Sequence, residues 1–256
     1  MARARTHGEV IEALRRAGCV AADDEARELV DSAGTAAALD AMVARRVAGE
    51  PLAWITGRTV FCGLELHVDP GVFVPRWQSE GLARTASVLL PEHGVAVDLC
   101  TGAGSIAAVL AAGRPAAEVR ATELDPVAVA CARRNGVRVA EGDLFAPLPP
   151  RVRGLVDVLT AVAPYVPHSA LHRLPRDVTD FEPAVALDGG DDGLDVVRRI
   201  VAESVDWVRA GGDVLLEVGS DQCDDVTRLF EGAGYHTPTV IEDADGDPRG
   251  VCARRG

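Results

Sequence analysis

Apolar residues recur at helical spacing in three runs near the start of the chain. Residues 10–17, 26–30 and 38–43 place apolar side chains three or four positions apart, and side chains with that spacing share one face of a helix. Short polar segments that suit helix starts separate the runs. The pattern predicts a small helical bundle, which we assign to residues 1–52.

The pattern changes after residue 53 to one that is typical of strands. Residues 59–61 and 64–68 are short runs that include β-branched and alternating apolar side chains, and they flank Cys62-Gly63. Two such runs with a short turn between them predict a β-hairpin. Asp69-Pro70-Gly71 is typical of a further turn. We interpret residues 53–78 as a hairpin connector between two domains.

The remaining residues alternate between strand-like and helix-like segments. Short apolar runs predict strands, and longer runs with helical spacing predict the helices between them. This alternation indicates a doubly wound α/β domain with a largely parallel sheet, which we assign to residues 79–256. The predicted strands are 95–99, 118–123, 137–141, 156–162 and 213–218, with two closing strands after residue 233, and the predicted helices are 81–90, 105–112, 126–135, 194–209 and 221–233.

Composition narrows the functional classes. Hydrophobic residues make up 48% and charged residues 25% of the 256 residues, as in a globular chain with a buried core. The formal net charge is −13 and there is no basic stripe, so we expect no direct nucleic-acid binding. No apolar run reaches the ~18–20 residues of a membrane span, and no signal core follows the basic start, so we expect a cytoplasmic protein. The six cysteines form no CxxC pair, so no metal site is predicted.

The segment after the first predicted strand of the α/β domain has the features of a cofactor site. The strand ends near Asp98, and a turn with two glycines, residues 100–104, leads into a helix. Glycines let the backbone approach a ligand closely, and a helix start offers unpaired N–H groups. The full GxGxxG fingerprint of dinucleotide-binding proteins is absent, so an NAD-linked oxidoreductase is only a distant alternative.

Acidic residues follow the next two predicted strands. Glu123 lies about 20 residues beyond the turn, where a carboxylate can accept hydrogen bonds from both ribose hydroxyls and repel a 2′-phosphate. Asp143 follows the next strand and can accept from an adenine amino group, with Leu144 and Phe145 packed near the ring. Acids at successive strand ends resemble the S-adenosylmethionine (SAM) site of class I methyltransferases. We therefore predict SAM as the cofactor, bound by Asp98, Cys100, Thr101, Gly102, Ala103, Gly104, Glu123, Leu124, Asp143 and Leu144.

Further motifs extend this resemblance over nearly the whole chain. They are Gly49-Glu-Pro-Leu-Ala53, Phe73-Val-Pro-Arg76 with Glu80, Val162-Ala-Pro-Tyr-Val-Pro167, Phe181-Glu-Pro183 and the glycines at 189, 190 and 193. Together they resemble the HemK/PrmC family of protein-glutamine N5-methyltransferases. The resemblance implies a Rossmann-like seven-stranded sheet, a small N-terminal helical domain, and transfer of a methyl group to nitrogen.

The chain departs from that family at the residues that hold the acceptor. In the family, an Asn-Pro-Pro-Tyr motif holds the substrate glutamine. Here Val162 and Ala163 replace the asparagine and the first proline, while Pro164 and Tyr165 are kept. Phe73 resembles the family's aromatic residue near the methionine end of SAM. By this resemblance the candidate catalytic residues are Phe73, Val162, Ala163, Pro164 and Tyr165.

Two further residues need an interpretation. Cys100 stands where the family has glycine, which we expect to be tolerated at a negative φ. Glu217, at the end of a late strand, is interpreted as a structural acid, with a catalytic role as the less favoured alternative.

Three functional hypotheses follow. The first is a protein-glutamine N5-methyltransferase with an altered acceptor motif, whose acceptor is a release factor, another translation factor or another protein. The second is a methyltransferase that acts on a small molecule in specialised metabolism, since an apolar residue 162 suits a less polar acceptor. The third is a SAM-binding homologue without catalysis.

Overall fold

The computed structural model describes residues 5–256. Four helices come first: α1 (His7–Arg16), α2 (Ala22–Ser32), α3 (Ala36–Val47) and α4 (Leu52–Thr56). Thr6 caps α1 in a capping box with Glu9, and the Thr35 side chain caps α3 by accepting from the Ala38 amide. The predicted helical runs are therefore helices. Their apolar faces form one buried cluster that includes Val10, Leu14, Ala26, Leu29, Leu39, Val43 and Ile55.

The predicted hairpin consists of β1 (Arg58–Phe61) and β2 (Leu64–His67), paired antiparallel. Within the connector, the indole of Trp54 donates to the Val72 carbonyl at 2.9 Å. Asn135 attaches the hairpin to the large domain. The Asn135 side chain accepts from the His67 amide at 2.7 Å and donates to the carbonyls of His67 and Ala103 at 2.9 and 2.8 Å. Asn135 is the only asparagine of the chain, and it joins the hairpin to the glycine turn.

The large domain is built on a seven-stranded sheet in the order β5-β4-β3-β6-β7-β9-β8. Strands β3 to β7 run parallel, and β9 pairs antiparallel with both β7 and β8. The strands are β3 (Val95–Leu99), β4 (Glu118–Glu123), β5 (Val139–Glu141), β6 (Val156–Ala161), β7 (Val208–Glu217), β8 (Tyr235–Glu242) and β9 (Pro248–Arg255), and the helices are α5 (Glu80–Leu89), α6 (Ser105–Gly113), α7 (Pro126–Arg134), α8 (Arg176–Thr179), α9 (Asp195–Trp207) and α10 (Cys223–Gly232). The predicted doubly wound sheet is confirmed.

The sheet is covered on both faces. Side chains of α5 and α6, including Leu82 and Leu110, pack in one buried cluster with alternate strand residues such as Val158 and Leu215. Side chains of α9 and α10 pack in a second cluster with the intervening strand residues. Because side chains of a strand alternate between the two faces, the interior strands are buried almost throughout.

The order of the strands indicates at which end of the sheet a ligand would bind. From β3 the chain runs outward through β4 to β5, and then returns to place β6 on the other side of β3. Ligands of open α/β sheets bind beyond the carboxyl ends of the strands at such a reversal. The carboxyl ends of β3 and β6 are therefore where a site is expected.

Some element boundaries differ from the prediction. The helix predicted to end at residue 209 ends at Trp207, and the strand predicted to begin at 213 begins at Val208. The register between β6 and β7 shifts between Val156 and Val158, and this irregularity lets the early residues of β7 join the sheet. Among the described residues, none of the helices has the length and apolar character needed to cross a membrane.

Candidate active site

A cavity of about 1040 Å³ opens at the carboxyl ends of the parallel strands. Its walls are the turn after β3, the ends of β4 and β7, and the segments that follow β5 and β6. Residues of the helical bundle, among them Cys19, Glu25 and Arg46, complete the wall. Fourteen of the fifteen residues that the sequence predicts for the site line this cavity: Phe73, Asp98, Cys100, Thr101, Gly102, Ala103, Glu123, Leu124, Asp143, Leu144, Val162, Ala163, Pro164 and Tyr165. Gly104 is not among the lining residues and lies in the turn between Ala103 and Ser105, which both are.

The glycine turn brings bare backbone to the cavity. Gly102 has a φ of +56°, and a Cβ at this position would meet nothing within 4 Å. Cys100 has a φ of +52°, so the expected negative φ is wrong. The Thr101 amide donates to the Thr122 carbonyl at 3.1 Å, which holds the turn against β4. A side chain in the left-handed region costs about 1–2 kcal/mol, so the turn keeps a strained residue where glycine would fit without strain.

Asp98 holds this turn from below. It is 1% exposed and accepts hydrogen bonds from the hydroxyls of Thr101 at 2.5 Å and Thr160 at 2.7 Å. Burial raises the pKa of the Asp98 carboxyl to about 6, although both hydroxyls oppose the rise. Each carboxylate oxygen thus already has a protein partner, so the main work of Asp98 is to position the turn.

Glu123 joins the end of β4 to the turn. Its Oε2 accepts from the Gly102 amide at 2.8 Å, and its Oε1 accepts from the amides of Leu124 and Asp125 at 2.7 and 3.0 Å. These bonds fix the direction of the carboxylate. A carboxylate has about four acceptor positions and three are used here, so one position remains for a hydroxyl group in the cavity.

The segment after β5 is arranged differently from the expectation. Asp143 Oδ2 accepts from Arg199 of α9 at 2.7 Å, a partner that the sequence did not indicate. Phe145 is 2% exposed and stacks on Trp207 with 5.6 Å between the ring centroids. The expectation that Phe145 packs near an adenine ring is therefore wrong, because the ring is turned into the core. Leu144, with a φ of +44°, reaches the cavity wall instead.

The residues of this half of the cavity fit SAM. Gly102 leaves open space against the backbone, and the carboxylates of Glu123 and Asp143 provide acceptors for a ribose diol and an amino group. The Thr122 hydroxyl, on the cavity wall, is buried without a hydrogen-bond partner among residues 5–256. The acidic wall also suits a ligand that carries a sulfonium and an ammonium charge.

The other half of the cavity holds the residues after β6. Val162 packs against the apolar cluster beneath α5 and presents no polar atom from its side chain. The Tyr165 hydroxyl donates to Glu217 Oε1 at 3.4 Å, and burial raises the pKa of this tyrosine. Gly193 has a φ of +80°, and a Cβ there would lie 2.2 Å from the Tyr165 carbonyl oxygen. Gly193, just before α9, thus permits the close packing that positions Tyr165.

Phe73 forms a side wall of this half. The Arg76 guanidinium lies 5.2 Å from its ring centroid and pairs with Glu182, whose side chain is fully buried. Burial raises the pKa of the Glu182 carboxyl, and Arg76 opposes the rise. Residues 76 and 182 are too far apart in the chain for any local pattern to indicate their pairing. Both lie in motifs that the resemblance had singled out without a role.

Known proteins similar to this chain are methyltransferases. A family model described as the methyltransferase small domain matches residues 63–144. A release factor glutamine methyltransferase from Geobacter sulfurreducens is 37% identical over 86% of this chain and 78% of the relative. One from Mycolicibacterium smegmatis is 40% identical over 86% and 80%. The crystal structure of a methyltransferase from Pyrococcus furiosus matches the fold with a TM-score of 0.55 at 19% identity, over 83% of this chain and 97% of that one.

Proposed function

The chain belongs to the release factor glutamine methyltransferase family and is a SAM-dependent methyltransferase, and we propose that it methylates a glutamine side-chain nitrogen of a bacterial release factor. The observation that carries the proposal is that one cavity joins the glycine turn and Glu123 to the segment from Val162 to Tyr165. A cofactor and a protein side chain can therefore meet in one enclosed space. A reaction in the cytoplasm is part of the same proposal.

In this proposal the half of the cavity around the glycine turn holds SAM. The turn from Cys100 to Gly104 supports the methionine part, Glu123 accepts from the ribose, and Asp143 and Leu144 lie near the adenine. When bound, SAM would supply a methyl group on a sulfonium sulfur, with the neutral thioether as the leaving group and one N–H proton of the acceptor amide released. The chain has mainly to align the nucleophile and exclude water.

The acceptor nitrogen enters beside the segment after β6. The Ala163 carbonyl accepts a hydrogen bond from one N–H of the acceptor amide. The Tyr165 ring and Phe73 exclude water on either side. Arg76, held by Glu182, keeps the Phe73 ring in place through its contact with the ring face. Val162 provides no hydrogen bond where the family has asparagine, and loss of one such bond costs about 1–3 kcal/mol. We therefore expect slow turnover rather than none.

The test combines the purified protein, SAM with an isotopically labelled methyl group, and a purified bacterial release factor. We expect label on the release factor, mapped to a glutamine by mass spectrometry, and no label with Glu123→Ala. The matched control is Glu141→Ala, since Glu141 ends the neighbouring strand β5, is exposed and lies outside the cavity. An unlabelled release factor under conditions in which SAM is bound would contradict the proposal.

A small-molecule acceptor is the second candidate, and the apolar Val162 favours it. Low-molecular-weight extract of the source cells, in place of the release factor, tests this candidate with the same label. Val162→Asn separates the two candidates further. It should raise methylation of a release-factor glutamine, because it restores a hydrogen-bonding amide, and lower methylation of an apolar acceptor.

A further inference from the structure

Glu217 is a buried acid in the cavity wall with one carboxylate oxygen unused. The side chain is 4% exposed. Tyr165 donates to Oε1 at 3.4 Å, and the Ser79 side chain lies close enough to lower the pKa of the carboxyl group. Oε2 has no partner among residues 5–256. A buried acceptor without a partner costs about 1–3 kcal/mol, and such groups are few in folded proteins. The unused oxygen therefore points to a ligand atom that donates to it.

Glu217 also lies beside the residue at which the chain departs from the family's acceptor motif. On the parallel strands β6 and β7, Ala161 pairs with Leu216, so Val162 and Glu217 are the next residues along. Val162 packs in the cluster that contains Leu215. Leu215 and Glu217 are two residues apart on β7 and so face the same side of the sheet. A carboxylate thus stands next to the valine that replaces the family's asparagine.

We propose that Glu217 takes the place of the missing asparagine and accepts a hydrogen bond from the N–H of the methyl acceptor. The inference rests on the proposed function in taking that acceptor to be a primary amide. Oε2 receives one N–H while the Ala163 carbonyl receives the other. Glu217 then determines specificity, since an acceptor without an N–H or O–H leaves Oε2 unpaired and is rejected.

The electrostatic surroundings are consistent with this role. Burial raises the pKa of the Glu217 carboxyl, while Ser79, Tyr165 and Arg249 oppose the rise. Arg249 is itself held by Asp243 through its Nε at 2.7 Å, and it makes no hydrogen bond to Oε2, which has no partner among residues 5–256. An N–H of the methyl acceptor would give Oε2 the hydrogen bond that the described protein groups do not provide.

The first test is a double-mutant cycle with SAM and the release factor. Glu217→Gln keeps the size of the side chain, but its single oxygen is needed by the Tyr165 hydroxyl, so an NH₂ group that donates replaces the accepting Oε2. We expect kcat/KM to fall roughly ten- to hundredfold. In the Val162→Asn background the same change should cost less than about threefold, because the new amide supplies the hydrogen bond. Glu118→Gln is the matched control, since Glu118 lies at the amino end of β4, away from the carboxyl ends of the strands, and outside the cavity.

The second test does not depend on the release factor. Propionamide reproduces the end of a glutamine side chain, and butanone has a methyl group in place of its NH₂. Ligand-observed NMR with the cofactor-loaded protein compares the affinities of the two probes. We expect the parent protein to prefer propionamide by about tenfold or more, and we expect Glu217→Gln and Glu217→Leu to weaken that preference and leave only the part due to the Ala163 carbonyl. Retained SAM affinity shows that the variants are folded.

The outcomes separate the two claims. If the release factor is unmethylated but the propionamide preference falls in the Glu217 variants, the substrate proposal is wrong and the role of Glu217 stands. If the release factor is methylated and Glu217→Gln leaves kcat/KM unchanged, the role of Glu217 is overturned. An equal cost of Glu217→Gln with valine or asparagine at position 162 also overturns it, as does a propionamide preference that is the same in all variants.

Discussion

At the scale of single residues, Cys100 shows how a local conformation can escape the sequence. Its neighbours in the turn gave no sign that its φ would be +52°, and the next residue, Thr101, is hydrogen-bonded to Thr122 on the neighbouring strand, a contact that no local pattern indicates. The glycine of the family resemblance was the only available signal. The sequence therefore predicted which residues form the turn but not where its strain lies.

The strain at Cys100 can be measured by comparing two substitutions at the same position. Cys100→Ala and Cys100→Gly both remove the thiol, but only alanine keeps a Cβ in the left-handed region. We expect the glycine variant to be the more stable of the two by about 1 kcal/mol, measured by urea unfolding. At Cys223, where φ is −57°, the ordinary order should hold and alanine should be the more stable variant. The ordinary order at position 100 would contradict the assigned conformation.

The site residues divide into those with a local signal and those without one. Asp98 and Glu123 lie at the ends of predicted strands and Asp143 follows one, so the sequence could place all three at one edge of the sheet. Arg199, by contrast, lies on a helix of ordinary pattern and reaches Asp143 only in the fold. The unused oxygen of Glu217 is likewise invisible without the position of Tyr165.

At the scale of elements, periodicity predicted nearly every helix and strand because their apolar faces are buried. It gave the wrong boundary between α9 and β7, where an irregular register rather than side-chain pattern decides which residues pair. The short segments between residues 168 and 187 had no periodic pattern. They fold over the cavity through contacts distant in sequence, such as that between Glu182 and Arg76.

The junction between hairpin and glycine turn depends on one side chain. Asn135→Ala removes three hydrogen bonds and leaves the polar groups of His67 and the Ala103 carbonyl without these partners. We expect a loss of about 2–3 kcal/mol in the free energy of unfolding, measured by urea titration, together with weaker SAM binding because Ala103 belongs to the turn. Val127→Ala, an exposed change on the same helix, should alter neither by much. Unchanged stability of Asn135→Ala would show that the hairpin is held by other contacts.

At the scale of the whole molecule, the cofactor should stabilise the fold, because the cavity is formed by segments that are distant in the chain. A ligand at a hundred times its Kd adds about 2.7 kcal/mol to the stability of the state that binds it. We therefore expect SAM at saturating concentration to raise Tm by several degrees in thermal unfolding. Glu123→Ala should abolish most of this shift and Glu141→Ala should retain it. An equal shift in both variants would remove Glu123 from the cofactor site.

Asn135, which joins the hairpin to the glycine turn, also makes the protein susceptible to slow chemical damage on storage. Asn135 is followed by Gly136, and an asparagine before glycine is the dipeptide most prone to slow loss of ammonia in water, since the glycine does not shield its peptide nitrogen from the side chain. Deamidation would replace the Nδ2 donor by a carboxylate oxygen. That oxygen would then face the carbonyls of His67 and Ala103, to which the amide now donates. Asn135 is the only asparagine in the chain, so deamidation of a stored preparation would occur at this residue and would weaken cofactor binding. The side-chain amides of the glutamines would stay intact.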